Sequence, residues 1–112
     1  MSTADTSPSL NASKKIPGLY QTENVPLEDK IIFQRYHIKE IGFYWLISEL
    51  DTKGNLAFGY ANLSDNQNAE WGYIDISELL SNGAIPDRDW KPCRFSEARK
   101  RIAAEERSQA HQ

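Results

Sequence analysis

The sequence predicts an α+β domain: an antiparallel meander sheet of four to five strands, a short helix and a C-terminal helix. Three observations support this fold class. Segments with apolar residues on one or both faces follow one another between residues 31 and 76, separated by short turn-forming segments. Helix-capping spacing is present at the end of the last of these segments, at Asp75 and Glu78. The length of 112 residues is that of one domain.

Four segments are predicted as strands: residues 31–38, 43–50, 56–63 and 70–76. The second has apolar residues on both faces, which is typical of a central strand covered on both sides. Its alternation places Leu50 on the face of Leu46. The hairpin turn after it contains Gly54, which suits a left-handed conformation. A fifth, short segment over 85–90 belongs at an edge, because Pro86 cannot donate a hydrogen bond to a neighbouring strand.

One short phrase occurs twice in the predicted sheet, as Phe58-Gly59-Tyr60 and Trp71-Gly72-Tyr73. Glycine weakens a strand, so its presence usually marks a bulge or a close approach by another group. Strand alternation places the four rings on one face and the glycines on the other, with Ala57 and Ala61. We favour a helix on this flat face, such as the C-terminal one, with the rings forming the core. The alternative is a ligand or partner groove.

Both ends of the chain differ in composition from the predicted domain over residues 16–93. Residues 1–15 are rich in Ser, Thr, Ala and Asn and are predicted to form a disordered tail. Residues 94–112 are predicted to form a charged helix that frays at its end. Its apolar stripe consists of Phe95, Ala98 and Ile102, and Ser96 is its predicted cap.

A second, shorter helix is predicted over residues 77–81. Asp75 and Glu78 have capping-box spacing, and Asn82-Gly83 provides the stop signal. Both helices are expected to pack on the same face of the sheet.

Charge is distributed unevenly along the chain. Residues 16–93 contain twelve acidic and six basic residues, whereas residues 94–112 contain three acidic and five basic residues. An acidic body repels nucleic acid and is attracted to a basic protein surface. The basic segment is the alternative nucleic-acid contact, through Arg94, Arg99, Lys100 and Arg101. The glutamates between these residues favour a soluble helix with local ion pairs.

The sequence has no recognisable catalytic motif, so we predict a non-enzymatic protein without a cofactor or metal. Cys93 is the only cysteine, which leaves no intramolecular disulfide and no zinc cluster of cysteines. His37 is interpreted as a strand histidine at the sheet surface. The alternative is an uncharacterised small enzyme that uses Glu23, Glu70 or His37, which requires these side chains to share one pocket.

The chain has no apolar run of membrane-spanning length and does not open on a secretory signal pattern. We therefore predict a cytoplasmic protein.

Two segments combine aromatic and charged side chains and form the predicted partner-binding surface. They are Glu70, Trp71 and Tyr73 in the fourth strand, and Asp87, Arg88, Asp89 and Trp90 after the short edge segment. Trp and Arg are enriched in interface hot spots. For the second segment a structural role is favoured, in which Trp90 fills the sheet edge and Arg88 pairs with a carboxylate.

Several of these landmarks, taken in order, resemble a bacterial family known as domain of unknown function 2958, over about residues 16–92. The matching pieces are Leu19-Tyr20-Gln21-Thr22-Glu23, Phe43-Tyr44-Trp45, Phe58-Gly59-Tyr60, Glu70-Trp71-Gly72-Tyr73, Ser77-Glu78-Leu79 and Asp87-Arg88-Asp89-Trp90-Lys91-Pro92. The resemblance implies a small cytoplasmic accessory protein, of a kind often carried on plasmids, phages or integrative elements. It implies no assigned activity and no catalytic residues.

The acidic aromatic domain and the resemblance together predict a non-enzymatic module that binds a protein partner. A concrete form is an acidic, anti-CRISPR-like inhibitor that occupies the nucleic-acid channel of a host defence complex. The alternative is a nucleic-acid-binding accessory that uses the basic C-terminal helix.

Overall fold

A five-stranded antiparallel sheet forms the centre of the structure, a computed structural model that describes residues 16–110. The strands are β1 (Ile31–Ile32), β2 (Gln34–Ile38), β3 (Phe43–Leu50), β4 (Leu56–Leu63), β5 (Glu70–Asp75), β6 (Ile85–Pro86) and β7 (Cys93–Arg94). The helices are α1 (Ile76–Ser81) and α2 (Phe95–Ala110), with short 3-10 helices over Leu27–Asp29 and Lys39–Ile41. The sheet order is β5-β4-β3-β2-β6, and β1 pairs separately with β7. The predicted α+β class is confirmed, and the predicted tail over 1–15 lies outside the described residues.

Local sequence signals set the turns where they were predicted. Gly54 has a φ of +74° in the β3–β4 hairpin, a conformation that glycine adopts without strain. The Asp75 side chain caps α1 by accepting a hydrogen bond from the Glu78 N–H at 3.2 Å. The helix ends at Ser81 with Asn82 as its C-cap, and Gly83 follows with a φ of +95°.

The predicted first strand is divided at Phe33, so a single strand over 31–38 is wrong. β1 pairs with β7 beside the start of α2, whereas β2 pairs with β3 and β6 in the main sheet. The Phe33 N–H still donates to the Ile47 carbonyl at 2.9 Å, so the chain stays beside β3. The division allows fully buried Ile32 to pack under α2 while β2 continues the sheet.

A β-bulge lies between β3 and β4, where the pairing register shifts between Ile47 and Glu49. Gly59 is directly opposite Ile47, and a Cβ atom on Gly59 would lie 2.0 Å from the Leu46 carbonyl oxygen. The prediction that this glycine marks a bulge or close approach is confirmed. The bulge also turns Leu50 to the face of Ile47, so its predicted place on the face of Leu46 is wrong.

The two helices cover opposite faces of the sheet, so their predicted packing on one face is wrong. The α1-side core consists of Trp45, Ile47, Ala57, Ile74, Ile76, Leu79 and Ala84. The α2-side core consists of Ile32, Leu46, Phe95, Ala98 and Ile102. Because α1 follows β5 with no intervening residue, Ile76 and Leu79 continue the apolar face of Ile74.

The C-terminal helix lies on the aromatic face, so its predicted place on the flat face is also wrong. The Phe95 ring centroid is 4.7 Å from that of Tyr60 and 4.8 Å from that of Trp71. These edge-on contacts stabilise α2 beyond simple burial. Phe95, Ala98 and Ile102 form the buried stripe that was predicted. Ser96 lies inside the helix and is not its cap, because α2 already begins at Phe95.

Candidate functional site

A buried carboxylate interrupts the otherwise apolar run of β3. The Glu49 side chain is only 4% exposed. It accepts hydrogen bonds from the backbone N–H groups of Tyr20 at 2.8 Å and Thr22 at 3.1 Å, and from the Thr22 hydroxyl. Hydrogen bonds to an ionised acceptor are stronger than neutral ones, so these contacts fasten the segment around Tyr20 onto the sheet.

Lys30 completes this network from the other side. Its side chain is also 4% exposed, and its ammonium lies 3.6 Å from a Glu49 carboxylate oxygen. The same ammonium donates to the Thr22 carbonyl at 2.5 Å and the Thr22 hydroxyl at 2.7 Å. It lies 5.7 Å from the centroid of the Phe58 ring. Both charges are therefore compensated, as buried charges must be.

We expect the free energy of unfolding to fall in acid as Glu49 is protonated. Burial alone would raise the pKa of Glu49, but hydrogen bonds from Thr22 and Tyr20, together with Lys30, lower it below its ordinary value near 4.5. A lowered pKa in the folded state gives stability that is complete above the ordinary value and is lost as pH falls below it. Urea titrations from pH 7 to pH 3 measure this loss. A Glu49→Gln variant should be less stable at pH 7 and less dependent on pH, whereas equal slopes would contradict the assignment.

Tyr20 is held in a left-handed backbone conformation, with a φ of +72°. This conformation is uncommon for a bulky residue and persists only where the surroundings impose it. Here the hydrogen bond from Tyr20 N–H to Glu49 imposes it. The ring is 58% exposed and makes an edge-on contact with Tyr73, with centroids 6.4 Å apart. The strained backbone thus holds an aromatic side chain at the surface.

A cleft of about 550 Å³ opens between this segment and strands β4 and β5. We call it the aromatic cleft, and it is lined by Tyr20, Glu23, Val25, Pro26, Leu27, Lys30, Glu49, Phe58 and Tyr73. Tyr73 is 56% exposed, and Val25 and Leu27 add exposed apolar surface. A contiguous exposed apolar patch with a polar rim is typical of an interaction site.

The surroundings of the cleft on the β4–β5 side are acidic. No Lys, Arg or His occurs between Lys53 and Arg88, a stretch that contains β4, β5, α1 and β6. Its acidic residues include Asp65, Glu70, Asp75 and Glu78. This part of the surface therefore favours a positively charged partner.

The second predicted segment, residues 87–90, contributes to the structure at the opposite edge of the sheet. The Trp90 indole N–H donates to the Ile32 carbonyl at 3.0 Å. Its ring lies 5.3 Å from the Arg35 guanidinium and 5.8 Å from that of Arg101. Trp90 therefore has a structural role, as the favoured interpretation had it, although it packs against the α2-side core.

Arg35, and not Arg88, pairs with Asp87. The buried Arg35 guanidinium lies 2.6 Å from Asp87 and 3.0 Å from Glu105. It thereby joins β2, the β6–β7 loop and α2. Arg88 is exposed instead.

The structure does not bring the two predicted partner-binding segments together. β5 and the residues after β6 lie at opposite edges of the sheet. Glu70 and Tyr73 are exposed, while Trp71 packs on the α2-side core. Of the residues predicted to bind a partner, only Tyr73 lines the aromatic cleft.

The three residues considered for catalysis line no common cavity. Glu23 lines the aromatic cleft, and His37 lines a groove with Arg35 and Asp87. Glu70 lies on β5, which is separated from β2 by the two strands β4 and β3. His37 is buried, which corrects its predicted surface position, and burial and the Arg35 cation lower its pKa. Over residues 16–110 no cluster of His, Cys, Asp and Glu has the geometry of a metal site.

The basic side chains of α2 engage nearby acids and rings. Arg99 lies 3.7 Å from Glu28, and Arg101 lies 3.8 Å from Glu97. Their guanidinium groups also lie over Phe95 and Trp90 respectively. Lys100 is exposed, and so is Arg94, which lies in β7 and not in the helix that was predicted to begin there. Local ion pairs are thus present in the basic helix, as its interspersed glutamates indicated.

Comparison with known proteins does not identify a relative: no family model, curated protein or solved structure matches the chain. Neither helix in the described part of the chain is long and apolar enough to cross a membrane.

Sequence reasoning missed Tyr20, Lys30 and Glu49 as parts of the site. One signal was available: Glu49 is the only charged residue of β3. A carboxylate in a strand covered on both faces requires a cation and hydrogen-bond donors. The loop before β1 is the segment that supplies them.

Proposed function

We propose that this protein is a non-enzymatic binding module that recognises a basic surface of a protein partner through the aromatic cleft. The observation that carries this proposal is the pair of exposed rings, Tyr20 and Tyr73, beside strands β4 and β5, which contain no basic residue. Tyrosine supplies large contact area with few rotatable bonds, and its ring face attracts a cation.

The cleft has the rigidity that favours binding. Glu49 and Lys30 fix the backbone of the Tyr20 segment, so its ring does not need to be ordered when a partner arrives. A site ordered in advance avoids part of the entropy loss of association. The buried network therefore supports affinity as well as folding.

A concrete form of the proposal is an acidic, anti-CRISPR-like inhibitor. Such a protein would occupy the basic nucleic-acid channel of a host defence complex in the cytoplasm, as an accessory of a mobile genetic element. The acidic stretch between Lys53 and Arg88 supports this form, because a nucleic-acid channel is lined with Lys and Arg.

The nucleic-acid-binding alternative receives less support. Arg99 and Arg101 of the basic helix already interact with glutamates. Nucleic-acid binding by the full-length chain that is lost when the exposed Arg94 and Lys100 are replaced by Ala would favour this alternative over the proposed function.

We expect Tyr73→Ala to weaken partner binding at least tenfold, the scale of a hot-spot contact. The matched control is Ile85→Ala, because Ile85 is 57% exposed on β6 and Tyr73 is 56% exposed on β5 at the opposite edge. The full-length chain is immobilised and the proteins captured from bacterial lysate are quantified. The recovered partner is then titrated against each variant. Equal loss in both variants, or no loss in Tyr73→Ala, would exclude the aromatic cleft as the binding site.

A further inference from the structure

The two edges of the main sheet are built differently. β6 is only two residues long and contains Pro86, two devices that prevent another strand from adding there. β5 is six residues long and contains neither Pro nor Lys. No described element pairs with its outer side. β5 is therefore the open edge of the sheet.

The hydrogen-bond pattern shows which backbone groups of β5 point outward. The Ile76 N–H donates to the Asn55 carbonyl at 2.8 Å, and β4 and β5 pair in regular antiparallel register from there. In an antiparallel pair of strands, hydrogen-bonded residue pairs alternate with non-hydrogen-bonded ones. Because Ile76 belongs to a hydrogen-bonded pair, the N–H and C=O groups of Ile74 and Gly72 also point toward β4. Those of Trp71 and Tyr73 point away from the sheet.

Gly72 has no explanation within the fold. Neither Gly59 nor Gly72 has a positive φ, but a Cβ atom on Gly72, unlike one on Gly59, would meet no atom within 4 Å. A glycine within a strand makes the strand less stable than an alanine would. Gly72 lies directly opposite Gly59, so two adjacent positions on the α1 side of the sheet carry no side chain. At Gly59 the backbone of β3 takes up this space, whereas the space at Gly72 is open and lies at the open edge of the sheet; we call it the depression.

We infer that β5 accepts an extended segment of the basic protein partner as a sixth strand of the sheet. This inference rests on the proposed function. The added strand would pair with the backbone of Trp71 and Tyr73, which is the β-augmentation mode of recognition. The residue of the added strand that lies opposite Gly72 forms a non-hydrogen-bonded pair with it, the kind of pair in which side chains come closest. We expect that residue to be large and aromatic or aliphatic, because the depression leaves room for its side chain. Two residues away, a Lys or Arg meets Glu70.

A second copy of the chain does not fit this edge as well. Antiparallel pairing of β5 with itself would bring together two stretches that contain acidic but no basic residues. Two strands of the same charge repel each other, even where their charged residues do not face directly. Pairing centred on Gly72 would also place glycine opposite glycine and leave the depression empty.

The test uses a basic peptide, Lys-Val-Thr-Trp-Thr-Lys-Lys-amide, which carries fluorescein on its N-terminal α-amine and is titrated against the full-length protein by anisotropy. We expect Gly72→Val to weaken binding at least tenfold, because its side chain fills the depression, while the stability of the fold is maintained. Replacing the first of the two adjacent lysines, the one that meets Glu70, by Glu should also weaken binding. Unchanged binding to Gly72→Val, or no binding to the wild type, would overturn the inference. So would a wild-type dimer, detected by size-exclusion chromatography, that Gly72→Val converts to a monomer.

This experiment separates the inference from the function on which it rests. If Tyr73→Ala reduces capture of the partner but Gly72→Val does not change peptide binding, the inference that β5 accepts an added strand is wrong, while the aromatic cleft is still the binding site. If capture does not depend on Tyr73, the proposed function itself fails.

Discussion

Gly59→Ala is expected to lower the free energy of unfolding by about 3 kcal/mol or more, and urea denaturation followed by circular dichroism measures it. The new Cβ atom would lie 2.0 Å from the Leu46 carbonyl oxygen. Both atoms are fixed by the backbone of paired strands, so relief requires β3 and β4 to separate at the bulge. The α1-side core loses its alignment when they do, because Ile47 and Ala57 come from these two strands.

The matched control is Gly72→Ala, at the directly opposed position of β5. We expect this variant to be as stable as the wild type or more stable by up to about 1 kcal/mol, since alanine restricts the unfolded chain and meets open space here. Similar losses in the two variants would show that the glycines are equivalent, contrary to the structure.

Arg35→Met is the second substitution with a large expected effect, a loss of about 3–5 kcal/mol in the free energy of unfolding. Removing the buried guanidinium leaves Asp87 without its cation, at a position only 14% exposed. It also removes a contact to Glu105 that holds α2 against the sheet and the cation over the Trp90 ring. Chemical denaturation measures the loss.

Two further variants separate charge from packing. Arg35→Lys keeps the charge but lacks the planar guanidinium group that contacts two carboxylates at once. We therefore expect its free energy of unfolding to lie between those of the wild type and Arg35→Met. Adding Asp87→Asn to Arg35→Met should restore part of the lost stability, because it removes the unpaired charge. Independent, additive losses from Arg35→Met and Asp87→Asn would mean that the two side chains do not act as a pair.

The sequence allowed much of the sheet to be predicted because its signals are local. The hairpin at Gly54 and the Asp75 cap of α1 depend on residues close together in the chain, and both are present. The phrase around Gly59 correctly indicated a bulge or close approach. The same phrase around Gly72 has a different structural setting, which only the neighbouring atoms reveal.

The face on which each helix packs was not predictable in the same way. Strand alternation assigns side chains to two faces but does not say which face a distant helix covers. The bulge also turned Leu50 to the face opposite the one that simple alternation gives it. Phe95 places α2 on the aromatic face through contacts with Tyr60 and Trp71, which are more than twenty positions away in sequence.

The candidate site was predicted only in part, for a related physical reason. Tyr73 was identified from its strand, but the contacts of Glu49 with Tyr20 and Thr22 span the whole of β1 and β2. The residues that compensate a buried charge through long-range contacts lie at no fixed spacing from it in the sequence. A charged residue within an apolar strand is nevertheless a usable signal that such compensation exists.

Backbone amide exchange of the full-length chain, measured by NMR with and without the basic peptide, tests most directly whether the β5 edge and aromatic cleft form the binding site. In the free protein, the amides of Trp71 and Tyr73 should exchange rapidly, while Gly72 and Ile74 are protected by β4. In the complex we predict that Trp71 and Tyr73 become protected and that α2 is unchanged. Protection of Trp71 and Tyr73 in the free protein, or peptide-induced protection confined to α2 or β6, would contradict this assignment.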